Sequence, residues 1–114
     1  MTPFKPGDVV AVEFPFTDLQ TYKRRPGLVL AAGEMDLLVA RLTTHPPREP
    51  SDVAMQRWSE SGLPRASTIR LTKLTTMDSR LVHHKVGRLH HDDARLVVQA
   101  WQGMIAAFAA GLAK

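Results

Sequence analysis

Short apolar runs, each cut off by proline or glycine, leave the first ninety residues of this chain no stretch that reads as a long helix. Val9, Val10, Ala11, Val12 and Phe14 follow a Pro6-Gly7-Asp8 turn and stop at Pro15, because proline cannot donate within a ladder. Residues 27–32 form a second run and residues 37–43 a third. Gly33-Glu34 between them reads as the turn of a hairpin that is buried on both faces near its middle. Residues 17–25 are polar and read as a loop long enough to carry function. Residues 44–51 hold three prolines and can be neither helix nor central strand.

Three more strands are expected: a short one at 52–55, an alternating half-exposed one at 67–74, and a short basic one within 81–89. Residues 56–64 read as an irregular or one-turn segment around Trp58. Only the end of the chain has helical periodicity. Val97, Trp101, Met104, Ile105, Phe108 and Leu112 fall on one face. Asp92 is the expected N-cap, Asp93 favours the positive end of the dipole, and Gly111 marks the stop. These elements imply a mainly β domain with a C-terminal helix: a small, strongly bent sheet or barrel closed by that helix. With 114 residues and no internal linker, residues 1–114 form one domain.

Absent chemistry narrows the function. There is no cysteine, hence no disulfide framework, thiolate zinc site or cysteine nucleophile. With no secretory signal visible, a cytoplasmic location is expected, and no apolar run approaches the ~20 residues that span a bilayer. Phosphate-cradling glycine motifs and a serine nucleophile elbow are missing too, and Glu13, Asp18 and Glu34 lie in separate segments. His83-His84 and His90-His91 suggest a metal, but adjacent residues on a strand point to opposite faces, so no metal site and no cofactor is expected.

The net charge is +4. Residues 1–57 hold seven bases and seven acids, while residues 58–114 hold eight bases and four acids, so the excess sits in the second half. Ten of the 15 bases are arginine, the better fork for phosphate. Arg25 precedes Pro26 and the second strand, with Lys23 and Arg24 beside it. Thr43 and Thr44 end the third strand. Arg70 lies opposite Ile69 and Leu71 in its strand, with Thr72 on its own side and Lys73 next to it. If these strands are neighbours, Arg25, Thr43 and Arg70 converge as donors suited to a phosphate in a crowded transition state. Surface decoration by arginine and strand propensity of threonine also produce such a pattern.

Phe4 to Val10, the Phe14-Pro15-Phe16-Thr17-Asp18 segment and Arg24-Arg25-Pro26-Gly27-Leu28-Val29-Leu30 together resemble the PemK/MazF family of toxin endoribonucleases. Ser67 to Leu71, Leu74 to Asp78 and the closing helix extend the likeness over nearly the whole chain. The resemblance implies an SH3-like barrel, a homodimer and metal-independent cleavage of single-stranded RNA. The 2′-hydroxyl would attack the adjacent phosphate, leaving 2′,3′-cyclic phosphate and 5′-hydroxyl ends. It also implies an antitoxin partner, through which operator DNA would be reached. The family's catalytic arginine falls on Arg25, its threonine on Thr43 (or Thr44, one position on), and an arginine used by some members on Arg70. Those members carry aspartate two residues further on. Thr72 stands there and cannot act as a base, and arginine, with a pKa above ~12, is a poor one at neutral pH. What takes the 2′ proton is left open. Lys23, Arg24, Thr44, Thr72 and Lys73 are the expected RNA contacts. A non-catalytic nucleic-acid-binding barrel and a protein–protein adaptor are the alternatives.

Overall fold

The computed structural model describes residues 3–15 and 22–114. Six strands form one antiparallel sheet: β1 (Asp8–Pro15), β2 (Tyr22–Ala32), β3 (Asp36–Thr43), β4 (Asp52–Ala54), β5 (Thr68–Asp78) and β6 (Val82–Arg88). Their order is β4-β5-β3-β2-β1-β6. One helix, α1 (His91–Leu112), follows, and it is not long and apolar enough to cross a membrane. The expected late helix and mainly β architecture are both present.

Alternation divides the sheet into two cores. Val9, Leu28, Ala40 and Leu42 face Val53, Leu63, Ile69, Leu71 and the buried Val97 of α1. Val10, Val12, Phe14, Val29, Leu37, Val39 and Met77 pack on the other face. Each central strand therefore buries both of its sides, which is why these runs are continuously apolar. The ladder stays open between β4 and β6, and a one-turn helix, Ser59–Ser61, packs against β6 there. That approach needs two glycines. Gly62 has φ +88°, and a Cβ on Gly87 would run into the Ser61 carbonyl.

Residues 22–25 are strand, not loop, because β1 offers them a partner: Val12 pairs with Arg25 and Ala11 with Pro26. β2 meets β3 only from Gly27 onward, so its first residues form an edge where proline is tolerated. Residues 17–21 of the expected loop, and Phe16-Thr17-Asp18 of the resemblance, lie outside the described residues.

The helix begins two residues earlier than expected, and His90 caps it in place of Asp92, its Nδ1 accepting from the Asp92 amide. Asp93 is fully buried and accepts from the Gln56 and Arg57 amides at 2.7 and 2.9 Å, tying α1 to the segment before the one-turn helix.

Only the first half of the helical apolar face is covered. Val97 is buried and Trp101 and Met104 pack on the core, but Ile105, Phe108 and Leu112 are exposed. Trp58 also packs on the core.

Buried carboxylates fasten the strand ends. Asp8 accepts from the Lys5 amide and from Arg88 Nη1 at 2.9 Å, with Lys85 Nζ 3.2 Å away. Burial pushes its carboxyl up, but these donors outweigh burial and hold it below the usual value. Asp52 is lowered in the same way: burial raises it, and the Arg48 amide and Arg70 guanidinium outweigh that. A depressed folded-state value adds stability above the unfolded pKa of about 3.9 and loses it as pH falls through the folded one. The urea midpoint should therefore drop as pH falls below about 4, and drop less for Asp8→Asn. A wild-type midpoint that is flat across that interval would refute the assignment.

Candidate active site

Strand register brings the Arg25 and Thr43 positions together. In the β2–β3 ladder Leu28 faces Ala40 and Gly27 faces Arg41. The pairing ends there, but the same register extended two residues would set Arg25 opposite Thr43. Period-two alternation then puts Arg25, Gly27, Arg41 and Thr43 on one face, and Arg24 and Thr44 on the other. Thr43 thus shares the face of Arg25, while Thr44 lines both cavities beside it.

The face that carries Arg25 is the one that buries Val10, Val12, Phe14 and Val39, and the polar groups stand at the open end of that core. They line a cleft of about 330 Å³ with Phe14, Pro26, Thr44, His45 and Ser67. Gly27, next to Pro26 in the chain, is packed so closely that a Cβ would strike Val39. Arg41 lies over the Phe14 ring, with its guanidinium carbon 4.9 Å from the centroid, so a second cation is held at the rim. The Thr43 hydroxyl accepts from the His45 amide at 3.3 Å. Its own proton remains available to a ligand.

A second compartment of about 380 Å³ adjoins the first and shares Arg25, Pro26, Thr44 and Ser67 with it. Arg24, Arg65, Leu63 and Pro64 complete its walls. The two cavities thus sit on either side of the same strand ends, with Arg25 in both.

Arg70 does not line either cavity. It is the cross-strand partner of Arg41, but its Nε lies 3.3 Å from Asp52 Oδ1 and its Nη2 3.6 Å from Glu49 Oε1. Thr72 donates to the same Glu49 at 3.0 Å. Arg70 and Thr72 therefore fasten the segment that leads from the cleft into β4. Lys73 is exposed in the part of β5 that makes no pairing with β3, between the Arg41–Arg70 and Ala40–Leu74 pairs. The backbone of Lys23 pairs with Phe14, and its side chain lies outside the described residues.

Arg41 and His45 are not among the site residues expected from the sequence. Arg41 carried a usable signal, being a charged residue inside an apolar strand and two positions from Thr43, hence on its face. His45 looked like part of a proline-rich connector.

The other histidines differ from expectation in one respect. His90 and His91 lie at the helix start rather than on a strand, and their rings stack at 4.2 Å. Their donor atoms and those of Asp92 lie within 4.8 Å of one another, so the opposite-faces argument does not apply to them. These nitrogens already face carboxylates: His90 Nε2 is 3.2 Å from Glu60, and His91 Nε2 is 3.2 Å from Asp92.

Residues 5–105 match the family profile of the PemK-like, MazF-like toxins of type II toxin–antitoxin systems. The chain belongs to that family. Among curated proteins nothing matches it significantly. Solved structures share the toxin's fold at low identity. An endoribonuclease from a mycobacterial species is 16% identical with a TM-score of 0.72, covering 93% of this chain and 94% of that one. A mycobacterial endoribonuclease in complex with its cognate antitoxin gives 17% and 0.73, covering 90% and 95%. The MazE–MazF complex of Deinococcus radiodurans gives 14% and 0.70, covering 93% and 96%.

Proposed function

We propose that this toxin is an endoribonuclease that cuts single-stranded RNA by attack of a 2′-hydroxyl on the adjacent phosphate. The products are a 2′,3′-cyclic phosphate and a 5′-hydroxyl end. The observation that carries the reading is the convergence of Arg25 and Thr43, from two different strands, on one cleft with Arg41 at its rim. In the pentacoordinate transition state charge builds on the non-bridging oxygens, and fixed guanidinium and hydroxyl donors hold it better there than in the ground state. Arg25 stabilises the phosphorane, Thr43 donates to one non-bridging oxygen, and Arg41 adds a second positive charge. Arg24, Thr44 and Arg65 carry the strand on through the second compartment. Arg70 and Thr72 hold the 48–52 segment, and Lys23 and Lys73 add charge for the approaching strand.

Two guanidinium groups supply the charge that a metal would otherwise bring, and among the described residues the cleft lining includes no aspartate or glutamate to hold a divalent ion. Cleavage of a labelled single-stranded RNA should therefore proceed unchanged in EDTA. Activity that stops in EDTA and returns with magnesium would defeat this mechanism. Saturable RNA binding with no product would favour a non-catalytic binding barrel instead.

The inhibitor is an antitoxin, as in the toxin–antitoxin complexes with this fold, and it occupies the same groove. An acidic, disordered segment gains charge-assisted bonds to the guanidinium groups that bind phosphate, and it orders as it binds. RNA and the antitoxin should compete, and RNA affinity should fall steeply with salt. Simultaneous binding without loss of either would show separate sites. The toxin works as a homodimer, for which the exposed Ile105, Phe108 and Leu112 offer apolar surface.

A further inference from the structure

We propose that His45 is the general base that takes the proton from the attacking 2′-hydroxyl; the assignment rests on reading this cleft as a ribonuclease site. The cleft holds a phosphate-binding pair but needs a group that accepts a proton at neutral pH. Among the described residues that line it, only His45 has that chemistry. Arg25 and Arg41 are permanently charged, and the hydroxyls of Thr43, Thr44 and Ser67 are far too weakly basic. Imidazole is the side chain that changes charge between pH 5 and 8.

Position supports the role. The His45 amide donates to the hydroxyl of Thr43 at 3.3 Å, so the base sits one short turn from the group that binds phosphate. Pro46 and Pro47 follow and stiffen the backbone behind it. The residue is exposed, so a bound strand can reach it. His83, His90 and His91 each face a carboxylate, whereas among the described residues none bonds the His45 ring. The charged groups that line the cleft with it are Arg25 from β2 and Arg41 from β3.

The step balances without a further reagent. The O2′ proton passes to a ring nitrogen of His45 as the O2′–P bond forms. The P–O5′ bond breaks, its electron pair leaves on O5′, and O5′ takes a proton from water. The imidazolium then returns its proton to solvent.

The test is single-turnover cleavage of a mixed-sequence RNA between pH 5 and 9 by wild type, His45→Gln, Arg25→Ala and His91→Gln. His45→Gln should bind RNA as wild type does but cut it about a hundredfold more slowly. It should lose a rising limb of the pH–rate profile that wild type and His91→Gln share. A 5′-bridging phosphorothiolate, whose leaving group needs no proton, should leave that defect in place. Rescue of His45→Gln by that substrate would make the imidazole an acid and overturn the assignment. A His45→Gln enzyme with the full rate and the same limb, beside an inactive Arg25→Ala, would remove His45 and spare the ribonuclease reading. Wild type that binds RNA and cuts none of it would overturn both.

Discussion

Arg25→Ala will fold normally and cut RNA at least about a hundredfold more slowly than wild type, the loss expected when one preorganised donor to a developing oxyanion is removed. The fold should survive because Arg25 is exposed and sits where β2 pairs with β1 alone. Among the described residues it bonds no carboxylate, unlike Arg70, Arg57 or Arg88, each of which holds an acid. An arginine left without an acid beside an open cleft keeps its fork for a ligand. Thr43→Ala should lose about tenfold, since a neutral donor contributes less than a charged fork. Arg25→Lys should recover only part of the rate, because an ammonium keeps the charge and loses the two parallel bonds. Circular dichroism with single-turnover kinetics decides the matter. An unfolded Arg25→Ala makes the residue structural, and a folded variant with the full rate removes it from the site.

What the sequence could reveal followed the range of the interactions involved. The apolar runs of β1, β2 and β3, the one-turn segment near Trp58 and the helix are encoded locally, by alternation, breakers and helical spacing. The start of β2 is not, because Tyr22 to Pro26 are strand only by virtue of pairing with β1, across a stretch of polar sequence. Arg70 shows the same limit. Alternation placed it correctly on the polar side of its strand, but whether its guanidinium faced a phosphate or an acid depended on Asp52 and Glu49, eighteen and more residues away. Asp8 and Asp93 look like surface acids in the sequence and are buried anchors in the fold, since their donors come from β6 and from the 56–57 turn. His45 was hidden by its setting, because a residue between threonine and two prolines reads as connector until the third strand is seen to deliver it into the cleft.

Gly87→Ala should destabilise the toxin by about 2 kcal/mol or more and lower its melting temperature by on the order of 10 °C, a large share of the stability of a domain this size. The added methyl would strike the Ser61 carbonyl oxygen, with the Ser61 carbonyl carbon only 2.8 Å off and the Gly62 nitrogen 3.4 Å. These are backbone atoms and cannot rotate away as a side chain would. Gly62 cannot yield either, because its φ of +88° belongs to the left-handed region and even a Cβ on it would strike the Val86 carbonyl. The one-turn helix must then lift from β6, and Leu63, Pro64 and Arg65, which wall the second compartment, follow it in the chain. RNA affinity should therefore fall together with stability. Gly103→Ala is the matched control. No atom lies within 4 Å of a Cβ there, the position is an exposed helix interior, and the change should stabilise the protein by about 0.5–1 kcal/mol through helix propensity alone. Urea denaturation of the two variants beside wild type reads both signs. A Gly87→Ala variant as stable as wild type would mean that the one-turn helix does not rest on β6.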